Sequence, residues 1–141
     1  MSHYNANLRD IEFCLFDLLK RDEIMGKSIF KDVDRETATG MLEEIKRLAE
    51  NDLAESFIES DRLGVQFNKE TGDVKLPESF KKSYRTFMDN EWWRIDAPVE
   101  IGGTLIPASL RWAIAEMVLG SNPAIHIYAS GTAFAHVANV I

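Results

Sequence analysis

Residues 107–141 read PASLRWAIAEMVLGSNPAIHIYASGTAFAHVANVI, and this stretch decides the fold. Pro107 has a φ that suits the start of a helix. Leu110, Ala113, Ile114, Met117 and Val118 follow at spacings of three and four, which predicts one inward face. Gly120 is expected to end that helix. Asn122 and Pro123 then supply an N-cap and a first helical position for the next one. Two helices joined by so short a turn pack as an antiparallel pair. The final helix carries Ile125, Tyr128, Ala129, Thr132, Ala133, His136 and Val137 on one side, and Ile127, Phe134, Ala138 and Ile141 on the other. A helix apolar on both sides is normally buried on both sides. As the last element of a small helical domain it has one face without a cover.

From Met117 onward the chain holds no Lys, Arg, Asp or Glu, so a membrane span must be tested. A spanning helix needs about 20 predominantly apolar residues. Gly120 to Pro123 split this run, and His126, Ser130, Thr132, His136 and Asn139 interrupt the rest. The reading is no membrane span. MSHYNANLRDIEF at the start has no basic region leading into an apolar core, hence no signal peptide, and the expectation is a cytoplasmic protein. The net charge of -7 over 141 residues argues against nucleic acid as a partner. Lys81, Lys82 and Arg85 make only a weak basic patch. Cys14 is the single cysteine, so no internal disulfide forms. Within IEFCLFDLL a buried, inert thiol is the expected fate.

Working toward the N-terminus, about Asn7 to Leu19 places Leu8, Ile11, Leu15, Leu18 and Leu19 at helical spacing,. A connection containing Gly26 follows. Asp34 then caps a long helix from about Arg35 to Asp61, whose apolar positions run from Ala38 to Phe57. Its outer face is acidic: Lys31 to Arg62 holds ten acids against five bases, a solvated face. In GVQFNKETGDVKLP, residues 64–77, Val65 and Phe67 alternate on one side of Thr71-Gly72-Asp73 and Val74 and Leu76 on the other. That predicts a short hairpin, marginal without neighbours. Pro77 opens a helix to about Asn90, with Phe80, Tyr84 and Phe87 on one face. EWWRIDAPVEIGGTLIP, residues 91–107, holds too many breakers for a continuous helix,. The fold class is therefore mainly α: a helical, bundle-like domain with a short β-hairpin near 65–76.

Self-sufficient chemistry is missing from the sequence. His126 and His136 are ten residues apart and His3 is terminal, so no helical ligand pair exists and no metal residues are assigned. Gly102-Gly103 lacks the strand and the Lys-Ser/Thr frame of a phosphate loop. Glu116 is the one acid on an apolar helix, with no partner for a general base, and reads as structural. Trp92, Trp93 and Trp112 are large enough to stack on a ligand, but core packing is their commoner role. No nucleophile has a base and an orienting acid beside it, which removes a small hydrolase from contention. Catalytic residues: none.

Taken in order, the segments resemble the N-terminal helical domain of an acyl-CoA dehydrogenase, above all the long bacterial branch with an N-terminal extension. The resembling residues are MSHYNANLRDIEFCLFDLL, AESFIESDR, LPESFKKSY, PVEIGGTLIP and EMVLGSNPAIHIYASG. Many family members carry Gly-Gly-x-Gly after the acidic residue, whereas Thr104-Leu105 follows Gly102-Gly103 here. That departure questions the subfamily more than the family. The resemblance implies an extension helix and connection at 1–33, and a helical domain at 34–141. It also implies a longer parent whose middle β domain and C-terminal α domain are absent, with Ile141 a cut point.

The resemblance further implies an FAD enzyme that removes hydrogen across the α,β bond of acyl-CoA thioesters and passes electrons to an acceptor. The catalytic carboxylate and most flavin contacts lie outside the N-terminal domain, so no catalytic or cofactor-binding residue is carried over, and this chain alone is expected to bind no FAD and to be inactive. What the domain supplies is one wall of the acyl-chain pocket. Ile125, Tyr128, Ala129, Thr132 and Ala133 are the candidates for it. The small residues Ala129, Gly131 and Ala133 leave room for an alkyl chain, and equally for another helix. The alternative is a free-standing helical interaction module that binds a protein partner, or a second copy, through its apolar C-terminal helix. Both readings expect the isolated chain to self-associate through apolar surface.

Overall fold

The computed structural model describes residues 2–95 and 97–130. Its axis is one long helix, Arg35 to Leu63, in three parts: α2 (Arg35–Leu48), a wider π-helical turn (Ala49–Leu53) and α3 (Ala54–Leu63). Asp34 begins it as expected, its carboxylate accepting the Thr37 N–H at 2.8 Å. The π turn has a cause in the apolar spacing. Ile45, Ala49, Leu53 and Phe57 recur strictly every four residues, and at 3.6 residues per turn such a run drifts about 40° per step. Widening one turn brings the stripe back, and Ile45, Ala49 and Leu53 are all fully buried.

The other elements pack on this axis. α1 (Leu8–Glu12) runs into its own π turn (Phe13–Leu18) and lies against α2. A short antiparallel pair, β1 (Gln66–Phe67) and β2 (Val74–Lys75), sets Phe67 opposite Val74, matching the hairpin expectation. Gly72 at its tip has φ +76°, a conformation that favours glycine. α4 (Glu78–Asp89) returns along α3 and buries Phe80 and Phe87. α5 (Ala108–Ser121) crosses α2 and the π turn, and α6 (Pro123–Ala129) turns back on α5 and α4. Leu110, Ile114, Met117 and Val118 of α5 are at most 2% exposed, each adding roughly 1.5–3 kcal/mol of apolar burial.

Polar side chains fix how these helices dock on the π turn. Ser121 Oγ donates to the Ala49 carbonyl at 2.6 Å, Ser83 Oγ to the Asp52 carbonyl at 2.6 Å, and Asn122 Nδ2 to the Leu53 carbonyl and Ser56 Oγ at 3.1 Å each. The N-terminal segment is strapped over the same place. The His3 ring stacks on Phe57 at 4.7 Å and its Nε2 is 2.9 Å from the Ser121 carbonyl. The Tyr4 ring lies directly on Gly120, and the Ala6 N–H donates to Glu50 Oε1 at 2.9 Å.

Several expectations change. Cys14 is exposed, because the π turn of α1 directs Leu15 and Phe16 inward and leaves Cys14, Leu18 and Leu19 outside. α5 passes through Gly120 to Ser121 rather than ending at the glycine. Asn122 stands at the N-cap of α6 but makes no side-chain cap bond, since its amide donates into the core. Among the tryptophans, Trp92 is buried, Trp93 is half-buried and Trp112 is exposed. His136 and the chain beyond Ser130 lie outside the described residues.

Candidate functional site

Of the five residues proposed for a ligand wall, α6 carries Ile125, Tyr128 and Ala129. Ile125 is fully buried in the core. Tyr128 is 52% exposed and meets Phe80 edge-on at 5.2 Å and Tyr84 at 6.4 Å. Ala129 is half-buried against the core. Thr132 and Ala133 lie outside the described residues. The helix thus divides its candidates: Ile125 anchors it inward, and Tyr128 faces outward across α4.

Beside Tyr128 a cavity of about 280 Å³ opens between α3, the hairpin entry, α4 and α6. Phe57, Leu76, Phe80 and Tyr128 give it an apolar lining, with Ser60 and Asp61 at its polar side. Asn122 also borders it but is itself fully buried, with Oδ1 unpaired. Sequence reasoning passed over Ser83 and Ser121, which seat α4 and α5 on the π turn, and read Asn122 only as an N-cap. The available signal was two serines on otherwise apolar helix faces.

Electrostatics around α6 are modest. Burial, and secondarily the charge of Arg111, hold the His126 imidazole below its usual range. Burial, and then the charges of Glu116, exposed on α5, and Glu50, raise the Tyr4 phenol above its ordinary value. Among the described residues no group of three or more His, Cys, Asp or Glu stands where it can hold a metal ion. No helix of the described residues is long and apolar enough to cross a membrane.

Gly102-Gly103 can be tested as a phosphate cradle. Gly102 adopts φ +81°, and its N–H donates to the Val99 carbonyl at 2.9 Å. The Gly103 N–H donates to the Pro98 carbonyl at 3.0 Å, and a Cβ on Gly103 would fall on the Ala97 carbonyl. Both N–H groups are spent inside the turn, so the glycines serve its closure. This turn therefore does not fit the phosphates of a dinucleotide.

No family model matches the chain. Over 137 residues, 97% of its length, it is 44% identical to the broad-specificity linear acyl-CoA dehydrogenase FadE5 of Mycobacterium tuberculosis, of which it covers 22%. Over 115 residues, 82% of its length, it is 30% identical to the 3-methylmercaptopropionyl-CoA dehydrogenase of Ruegeria pomeroyi, covering 19% of that protein. The chain therefore spans about a fifth of the length of the curated relatives it matches. Likeness along nearly the whole chain, on a mainly helical fold, places it in the acyl-CoA dehydrogenase family, as a part of such a protein.

Proposed function

We propose that this chain is the N-terminal part of an FAD-dependent acyl-CoA dehydrogenase, with an extension at 1–33 and a helical domain at 34–141, that forms one wall of the acyl-chain pocket. The parent removes hydrogen across the α,β bond of an acyl-CoA thioester, acts in fatty-acid metabolism in the cytoplasm, and hands electrons to a separate acceptor. Flavin and the proton-abstracting carboxylate belong to the remainder of the parent, so the chain alone is inactive and binds no FAD.

The observation that carries the reading is α6 itself. It has no charged side chain apart from any proton on His126, it is anchored inward through Ile125, and it offers Tyr128 and Ala129 beside an apolar cavity. Thr132 and Ala133 extend the proposed wall. Alkyl chains bind such a surface by burial alone, at about 0.8 kcal/mol per methylene.

The test uses the full-length gene product. It is expected to carry flavin absorbance that bleaches when a saturated acyl-CoA is added. Ala129→Phe is expected to shorten the preferred acyl chain, with kcat/KM falling about fourfold for each methylene excluded while the shortest substrates are unaffected. An unchanged chain-length profile removes Ala129 from the wall. A gene product without flavin or acyl-CoA oxidation sinks the whole reading.

A further inference from the structure

The groove between α1 and α5 takes no part in the reading above. It encloses about 560 Å³, with Ile11, Cys14, Leu19 and Trp112 among its apolar walls. Trp112 is 58% exposed and Leu19 45% exposed, and Phe13 and Leu18 on the same helix are more than half exposed. Large apolar side chains gathered in this way mark a docking surface. The charged residues lining the groove are Asp10 and Glu116, and no Lys or Arg lines it among the described residues. A cleft flanked by two helices accepts the ridge of a third. An acidic lining selects one with positive charge beside its apolar face. In a protein of the relatives' length, about four-fifths of the polypeptide has no counterpart in this chain. A segment of that same polypeptide would meet the groove at a high effective concentration.

We propose that the groove seats an apolar helix flanked by Lys or Arg, supplied by the part of the parent polypeptide that this chain lacks. The proposal rests on the family reading, and Cys14 in the groove wall reports on it directly. The full-length gene product is treated with N-ethylmaleimide in its native state and in urea, and labelling of the Cys14 peptide is followed by mass spectrometry. Native labelling is expected to be slower by about tenfold or more, as for a site reached only through local opening. A thiol-to-amine cross-linker on Cys14 is expected to reach a lysine outside residues 1–141 of the same polypeptide. Mixing with isotopically heavy protein separates that from a link between copies.

Equal labelling in both states overturns the proposal, as does a cross-link only to a second copy or only within residues 1–141. Flavin content and acyl-CoA oxidation of the same sample report separately on the family reading. A yellow, active enzyme whose Cys14 labels freely leaves that reading standing and removes the groove's occupant.

Discussion

Gly120 is the residue at which the strap and the helix compete. A β-carbon there meets the Tyr4 ring, while alanine in place of glycine favours a helix by about 1 kcal/mol. Gly120→Ala is therefore expected to displace Tyr4 and to be neutral or destabilising in urea unfolding. In a Tyr4→Ala background the same change is expected to stabilise by up to about 1 kcal/mol. Identical effects in the two backgrounds would show that the ring does not oppose the methyl group. His126 gives a second test, in pH. Its folded pKa is lowered, so the unfolded chain takes up its proton at the higher pH. Stability due to this group is complete above the ordinary imidazole value of about 6.5. It is lost as pH falls from there toward the folded value. His126→Asn should flatten the stability difference across that window, and parallel pH curves for the two proteins would refute the assignment.

At the scale of elements, the π turn at 49–53 is the joint on which α4 and α5 are set. Asn122→Ala removes the donor to the Leu53 carbonyl and Ser56 and is expected to cost about 1–3 kcal/mol, read as a lower urea midpoint. A cost no larger than that of an exposed Asn→Ala change would mean the amide is dispensable. Most elements were legible because they rest on local signals: Asp34 as a cap, Pro77 and Pro107 before helices, Gly72 in the hairpin. The π turns were not, since an apolar residue every three or four positions reads as plain α-helix and the drift appears only when several steps of four are summed. Cys14 was misplaced for that reason. Asn122 was placed correctly, but its side chain answers a carbonyl nearly seventy residues away, which no local pattern reveals. Of the proposed wall, the apolar character of α6 was legible. Which of its faces points inward depends on how α5 and α4 meet it.

For the whole molecule, apolar surface remains uncovered well away from the α1–α5 groove. Phe67 and Val74, paired across the hairpin, are each about 60% exposed, and a two-stranded hairpin is marginal by itself. We expect the isolated chain to self-associate through such surfaces in a concentration-dependent way. Phe67→Lys with Val74→Thr should shift its sedimentation toward monomer, whereas an unchanged distribution would exonerate the hairpin. The family likeness was legible because it lies in the order of segments along nearly the whole chain. The assembly into which the domain fits was not, because most of a relative's length has no counterpart here.

The His3 contact to Ser121 spans 118 positions, and the carbonyls of the long central helix are met by side chains that lie some 30 to 70 positions later. During synthesis at about 5–20 residues per second, roughly 4–15 seconds separate residue 50 from residue 121 leaving the ribosome. Throughout that interval the long helix has an apolar stripe and waiting carbonyls that α5 is not yet there to cover. Nascent chains of this protein should therefore be clients of the chaperones that shield apolar segments, until the α5–α6 turn has emerged.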